Sequence, residues 1–417
     1  MSMSRVKIPP DKQIILNVNG DEAVAYALKQ SLVDVVAAYP ITPQTIIVEK
    51  FSEFVANGEV HTEFVSVESE HSAMSACIGA AAAGARAFTA SSSQGIALMW
   101  ETLYIASALR LPIVLAVVNR ALSAPINIHC DHSDAYGMRD SGWIQLFVEN
   151  VQETYDTTIQ AFKIAEDERV QLPVAVNLDG FFLSHTLENI RILPDNIVEE
   201  FLGGYRKVPS INVDYFEDKV PYMLNPARPI TIGPLDLPDY YFEHKMALID
   251  AMKNVYQVVR EVNDEWYELT GRRYGDGVID TYGIEDADTA IIVLGSAAGT
   301  VKHVVKRMRS QGLKTGVIRI RLFRPFPYRE ITELLKDIRV VGVLDRGISY
   351  GSYGPVYLEV NTALYDLRER PIIVNYIYGL GGRDLSPHEI EYVIRELHEI
   401  FEKGFVENKL KFIGVRG

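Results

Sequence analysis

Short hydrophobic runs alternate with longer segments of helical period along most of the chain, starting at Gln13. The runs 14–17, 33–38, 65–67, 87–90, 113–118 and 174–177 predict strands, and the stretches between them predict helices. Such β, α, β, α alternation implies a parallel sheet covered on both faces, so the fold class is α/β. Between 184 and about 241 the period is lost and proline accumulates, as in N-P-A-R-P-I-T-I-G-P-L-D-L-P-D. The segment keeps aromatic and branched residues, which suits an extended arm or a subunit contact better than a disordered linker. A long helix is predicted over 242–269. A second α/β unit follows, with strands opening at Thr289 and over 315–321, 340–345 and 372–377. Its helices are predicted over 300–311, 328–335, 356–366 and 387–405. These patterns divide the chain into 1–255, with the arm, and 256–417.

Two local sequences hold chemistry. In Ala38-Tyr39-Pro40-Ile41-Thr42-Pro43-Gln44-Thr45 a buried strand runs into two prolines three residues apart. Pro40 pushes Tyr39 toward extended geometry, and Pro43 suits the first turn of the next helix. The Thr42 hydroxyl then lies at the carboxyl end of a strand, the edge where parallel sheets bind ligands. A well-capped strand–helix turn accounts for the same residues. In V-S-V-E-S-E-H-S-A-M-S-A-C-I-G-A-A-A-A-G-A a helix is predicted from Ser69 or Glu70. Its run of small residues, 73–84, suits close approach to neighbours and predicts a buried helix. Glu70 is then either an ordinary helix-start carboxylate favoured by the dipole, or a carboxyl in an apolar setting that shares a proton with a ligand. Glu63 and Glu68 compete with it, but Glu68, two residues away, points elsewhere.

The Y-P-I-T-P elbow and the E-S-E-H-S-A helix start are followed in order by T-A-S-S-S-Q-G (89–95), V-N-R-A-L-S (118–123) and D-H-S-D (131–134). D-G-F-F-L-S-H (179–185), R-L-F-R-P-F (321–326) and Y-G-L-G-G-R-D (378–384) come next. Together, from about Asn17 onward, they resemble the α subunit of pyruvate:ferredoxin oxidoreductase, within the 2-oxoacid:ferredoxin oxidoreductases. The resemblance implies a pyrimidine-type thiamine diphosphate domain followed by a transketolase C-terminal-like domain. It implies oxidative decarboxylation of a 2-oxoacid, acyl transfer to coenzyme A and electron delivery to ferredoxin. A β subunit would hold the cofactor's diphosphate, Mg²⁺ and an iron–sulfur cluster. A ferredoxin-like δ subunit with further clusters and a γ subunit would complete the enzyme. Glu70 falls where a carboxyl meets the pyrimidine ring nitrogen, with Tyr39, Pro40, Ile41 and Thr42 beside the cofactor. Thr42 would donate to the substrate and Arg120 would pair with its carboxylate, with Asn119 and Ser123 close by. Another 2-oxoacid, branched-chain or 2-oxoglutarate, or a non-catalytic scaffold role, stays open.

Composition narrows the partners. The 417 residues carry a net charge of −14, which argues against nucleic acid or an anionic membrane. No apolar run approaches the roughly 20 residues of a membrane span, and the N-terminal sequence lacks a secretory h-region, so a cytoplasmic protein is expected. The only cysteines, Cys77 and Cys130, cannot form a four-thiolate cluster, so electrons must leave through a partner. Cys77 reads as core packing and Cys130 as part of a polar loop, with no metal site of its own. Gly275-Asp276-Gly277 matches the start of a thiamine diphosphate Mg²⁺ motif, but the asparagines needed downstream are missing, which leaves a turn. The basic runs 302–309 and 319–329 read as a solvated helix face and a strand edge.

Overall fold

The computed structural model describes residues 8–213 and 216–416. Residues 1–7, part of the N-terminal segment read above, lie outside the described residues, as do Asp214 and Tyr215 of the arm and Gly417.

The first unit contains β1 (Ile14–Val18), α1 (Gly20–Gln30), β2 (Val35–Ala38), α2 (Thr45–Ala56), β3 (Glu63–Ser66), α3 (Glu70–Ala82) and β4 (Ala87–Ser91). It continues with α4 (Ser93–Leu98), α5 (Trp100–Ala108), β5 (Ile113–Asn119), α6 (Ser133–Gly137), β6 (Ile144–Phe147), α7 (Val151–Glu166) and β7 (Val174–Asp179). The arm holds β8 (Glu188–Ile192), α8 (Asp195–Leu202), β9 (Ser210–Ile211) and β10 (Val220–Pro221), then runs into α9 (Tyr241–Thr270). The second unit begins with β11 (Ile279–Tyr282), β12 (Thr289–Val293), α10 (Ala297–Ser310), β13 (Thr315–Ile320) and β14 (Leu322–Arg324). Then come α11 (Tyr328–Leu335), β15 (Val340–Asp345), α12 (Pro355–Ala363), β16 (Ile372–Ile377), α13 (Pro387–Lys403) and β17 (Leu410–Phe412).

The larger sheet has the order β14-β6-β7-β5-β4-β2-β3. All its neighbours are parallel except β14, which runs antiparallel to β6. β5 and β7 are buried at every position, as expected of central parallel strands covered by helices on both faces. The second sheet has the order β11-β13-β12-β15-β16-β17, antiparallel only at β11. The α/β class read from the alternation is the observed one.

Three expectations are corrected. The 14–17 run is not in the main sheet: β1 pairs antiparallel with β8 from the arm. The arm is correspondingly less extended than its proline content suggests, because α8 and two short strand pairs organise it. The two units also share part of their core, because β14 crosses back to the first sheet and Phe147, Phe323, Ile318 and Val343 lie in one apolar cluster. Finally, Arg319 and Arg321 are not on a solvated edge. Both are fully buried, and both donate to Glu153 of α7, Arg319 Nη2 at 3.0 Å and Arg321 Nε at 2.9 Å. Two cations beside one carboxylate hold Glu153 below the usual carboxylate range although burial opposes this.

The small-residue helix α3 is buried on one face only. Ala73, Met74, Cys77 and Ala81 pack inward against β2, β4 and α5, whereas Ser75 and Gly79 are exposed on this chain. Burial pushes the Cys77 thiol up to about 12, in keeping with an inert core position.

Candidate active site at the carboxyl edge of the first sheet

Register aligns the strand ends that carry the candidate residues. Ala38 of β2 lies opposite Ser66 of β3, and Asn119 of β5 lies opposite Asp179 of β7. The elbow 39–43, the turn into α3 and the loop after β5 therefore leave the sheet at the same edge.

In the elbow, Gln44 caps α2 and donates from Nε2 to Tyr39 O at 2.8 Å, which closes the turn on itself. The helix begins at Thr45, so Pro43 precedes the cap rather than sitting in the first turn as expected. Pro43 and Gln44 are buried, Ile41 is half-buried, and Tyr39, Pro40 and Thr42 are exposed. The Thr42 hydroxyl makes no hydrogen bond among the described residues.

Glu70 is the first residue of α3, behind the cap Ser69, whose Oγ accepts from Ser72 N at 3.2 Å. It is 6% exposed, whereas Glu63 and Glu68 are exposed and Glu68 accepts from the Ser72 hydroxyl. Burial thus separates the three carboxylates. The Glu70 carboxyl makes no hydrogen bond among the described residues. It packs on Gly95 of α4, where an added Cβ would lie 2.7 Å from Glu70 Oε1 and 2.2 Å from Ser91 Oγ. A glycine is required there because any side chain would occupy the carboxyl's place.

Arg120, 7% exposed, donates from Nε to Asn127 O and from Nη1 to Thr42 O, both at 2.9 Å. Its Nη2 makes no hydrogen bond among the described residues. Gly180 brings these loops together, since a Cβ there would lie 2.4 Å from Asn119 O and 2.9 Å from Pro43 Cγ. Asn119 is fully buried. It donates its amide to Asp134 at 3.0 Å. Ser123 is exposed on the wall of a cleft of about 830 Å³ lined by residues of both units.

Asp134 accepts four hydrogen bonds, from the backbone of Ser93, Arg120 and Ala135 and from the Asn119 amide. Burial raises its carboxyl to about 6 against the pull of those donors. Neighbouring Cys130 lies in the loop before α6 and is fully buried, and burial pushes its thiol well up. Cys130, His132 and Asp179 lie close enough together to suggest metal ligands. The Asp179 oxygens are already engaged, by His132 Nε2 and Arg346 Nη1 at 2.8 Å each and by Ser296 Oγ at 2.5 Å. A carboxylate only accepts, so His132 Nε2 carries the hydrogen. Despite its burial, Asp179 is held well below the usual carboxylate range by His132 and Arg346. This is an ion-paired hub joining β7 to the loops after β12 and β15. Asp276 is likewise occupied, accepting from Val278 N, Ile279 N and Arg260 Nε, as in a tight turn.

A family model described as pyruvate flavodoxin/ferredoxin oxidoreductase, thiamine diphosphate-binding, matches residues 26–264. The chain belongs to this family. A second model of these oxidoreductases, pyruvate:ferredoxin oxidoreductase core domain II, matches residues 287–390. The pyruvate synthase subunit PorA of Thermotoga maritima is 51% identical over 399 residues, 96% of this chain and 97% of the relative. PorA of Methanocaldococcus jannaschii is 50% identical over 383 residues, 92% of this chain and 94% of the relative. A ketoisovalerate oxidoreductase subunit VorA of Pyrococcus abyssi is 42% identical, covering 98% of both chains. Among solved structures, the 2-oxoglutarate:ferredoxin oxidoreductase of Magnetococcus marinus superimposes with a TM-score of 0.72 at 22% identity, over 94% of this chain and 65% of that one. A split-gene transketolase superimposes with a TM-score of 0.51 at 12% identity, over 92% of this chain and 98% of that one. Both likenesses concern the fold of this oxidoreductase chain.

Sequence reasoning gave no role to Gly95, Asp134 or Asp179, although all three lie in motifs that carry the resemblance. Polar residues next to predicted strand ends were the available signal, but their partners are distant in sequence.

Proposed function

We propose that the chain is the α subunit of a 2-oxoacid:ferredoxin oxidoreductase that converts pyruvate, coenzyme A and oxidised ferredoxin into acetyl-CoA, CO₂ and reduced ferredoxin. The observation that carries this reading is the set of three groups at one sheet edge with bonding capacity left over: the Glu70 carboxyl, the Thr42 hydroxyl and Arg120 Nη2. They suit thiamine diphosphate and a 2-oxoacid, because a buried carboxyl without a partner fits the pyrimidine nitrogen and a buried guanidinium fits a carboxylate.

Bound thiamine diphosphate supplies a nucleophilic carbon and an electron sink for decarboxylation. With the cofactor bound, Glu70 would meet the pyrimidine ring nitrogen and hold the proton there. Tyr39, Pro40 and Ile41 would lie beside that ring. Thr42 donates its hydroxyl toward the oxygen on which charge develops, and Arg120 holds the substrate carboxylate until CO₂ leaves. The diphosphate, Mg²⁺ and the iron–sulfur clusters belong to partner β and δ subunits, with a γ subunit completing a cytoplasmic complex. Two buried cysteines leave this chain without ligands for a four-thiolate cluster. The higher identity to pyruvate synthase subunits than to a ketoisovalerate oxidoreductase subunit supports pyruvate over a branched-chain acid.

The test is CoA-dependent viologen reduction by the complex assembled with its partner subunits, over pyruvate, branched-chain 2-oxoacids and 2-oxoglutarate. The highest kcat/KM is expected for pyruvate. A preference for another 2-oxoacid would move the substrate assignment, and no oxidation of any of them would leave a scaffold role.

A further inference from the structure

Asp134 is 1% exposed and belongs to neither the substrate contact nor the cofactor contact described above. Its Oδ2 accepts from Ser93 N and from Arg120 N, both at 3.0 Å, while Oδ1 accepts from Asn119 Nδ2 at 3.0 Å and Ala135 N at 2.8 Å. Ser93 is the first residue of α4, just past β4, and Asn119 ends β5 with Arg120 next to it, so one side chain bridges the carboxyl ends of two adjacent strands. We propose that Asp134 is a positioning residue that sets the Glu70 and Arg120 halves of the site in register with each other. The inference rests on the reading of Glu70 and Arg120 given under the proposed function.

On the first side, Ser93 has φ of +47°, a left-handed conformation that a serine holds only when its surroundings impose it. The bond from its N–H to Asp134 supplies such a constraint. Two residues on is Gly95, the surface against which the Glu70 carboxyl packs. On the second side, the Arg120 backbone is held by the same Oδ2, and its guanidinium reaches Thr42 O and Asn127 O from that fixed base. Ser93 Oγ also donates to Ala121 O at 2.6 Å, so the two segments are tied twice. A carboxylate is needed because four donors converge on two oxygens. In Asp134→Asn the amide nitrogen accepts nothing, so the donors on that side face another donor.

The test uses Asp134→Asn in the assembled complex. Both the KM for the 2-oxoacid and the thiazolium C2 proton exchange of bound thiamine diphosphate should worsen together, each by up to about 10²-fold. Amide hydrogen exchange at Ser93 and Arg120 should accelerate. Arg120→Ala should move mainly the first readout and Glu70→Gln mainly the second. The inference is overturned if Asp134→Asn moves only one of the two, or if both amides stay as protected as in the natural chain. Should Asp134→Asn not fold, Asn119→Ala removes one donor and keeps the carboxylate. A smaller paired loss then supports the inference, and no loss overturns it. If the natural complex neither oxidises a 2-oxoacid nor exchanges the C2 proton, the reading of Glu70 and Arg120 fails instead. The amide exchange still decides the bridge in that case.

Discussion

Arg120 Nη1 donates to the backbone carbonyl of Thr42 at 2.9 Å, although β4 lies between the strands that carry them. The loop after β5 and the elbow after β2 therefore form one wall, and Arg120 Nη2 makes no hydrogen bond among the described residues. In the proposed function, a residue that positions the elbow also offers the charge.

Replacing Arg120 should consequently damage substrate handling more than cofactor binding. Arg120→Ala is expected to lower kcat/KM for the 2-oxoacid by an amount equivalent to about 2–5 kcal/mol. Arg120→Lys should fall between Ala and the natural chain, since a point charge cannot serve Thr42 O and a carboxylate together. Thr42→Val should act in the same direction more weakly. Steady-state kinetics with a thiamine diphosphate titration checks this: release of the cofactor with kcat/KM preserved would make Arg120 an interface residue.

Glu70→Gln should leave the complex assembled and slow thiazolium C2 proton exchange and turnover by about 10²–10⁴-fold, the usual worth of acid–base assistance. Exchange followed by NMR on the holoenzyme decides it. An unchanged rate would reduce Glu70 to a helix-start carboxylate.

Gly95→Ala adds a methyl group 2.7 Å from Glu70 Oε1 and 2.2 Å from Ser91 Oγ, so the carboxyl has to move. The expected result is a partial copy of the Glu70→Gln defect, in a protein whose KM for the 2-oxoacid changes less than its C2 exchange rate. Equal losses in both, or none, would show that Gly95 does not set the carboxyl's place.

Asp179 predicts how stability depends on pH. Its folded pKa lies below the unfolded value of about 3.9, so its contribution is fully present above roughly pH 5 and is lost as pH falls toward the folded value. Asp179→Asn should remove that acid-side slope. It should also cost about 3–5 kcal/mol near neutral pH, because Arg346 stays buried without its carboxylate. Denaturant midpoints measured from pH 3 to 7 provide the check: parallel profiles for the variant and the natural chain would exclude the hub role.

Much of the architecture was legible because its signals are local. Continuous apolar runs marked the central strands β2, β4, β5 and β7, and helical periodicity with glycine and proline punctuation marked α9, α11 and α13. The elbow and the start of α3 were readable for the same reason, as prolines and a capping serine act within a few residues. Two cysteines cannot by themselves supply the four thiolates of a conventional iron–sulfur cluster, which the sequence states without any structure.

Tertiary structure decided what depends on partners far along the chain. Thr42 and Arg120 are 78 residues apart, Ser93 and Asp134 are 41 apart, and Glu153 and Arg319 are 166 apart. Charge pattern alone placed Arg319 and Arg321 at a surface, because a guanidinium is normally buried only when a carboxylate meets it, and Glu153 comes from another unit. Likewise β1 was an apolar run like the others until β8 claimed its edge, and β14 was too short to read without β6 beside it. Periodicity within the chain chose the elements, whereas packing between them chose which polar side chains were buried, paired or left open to a ligand.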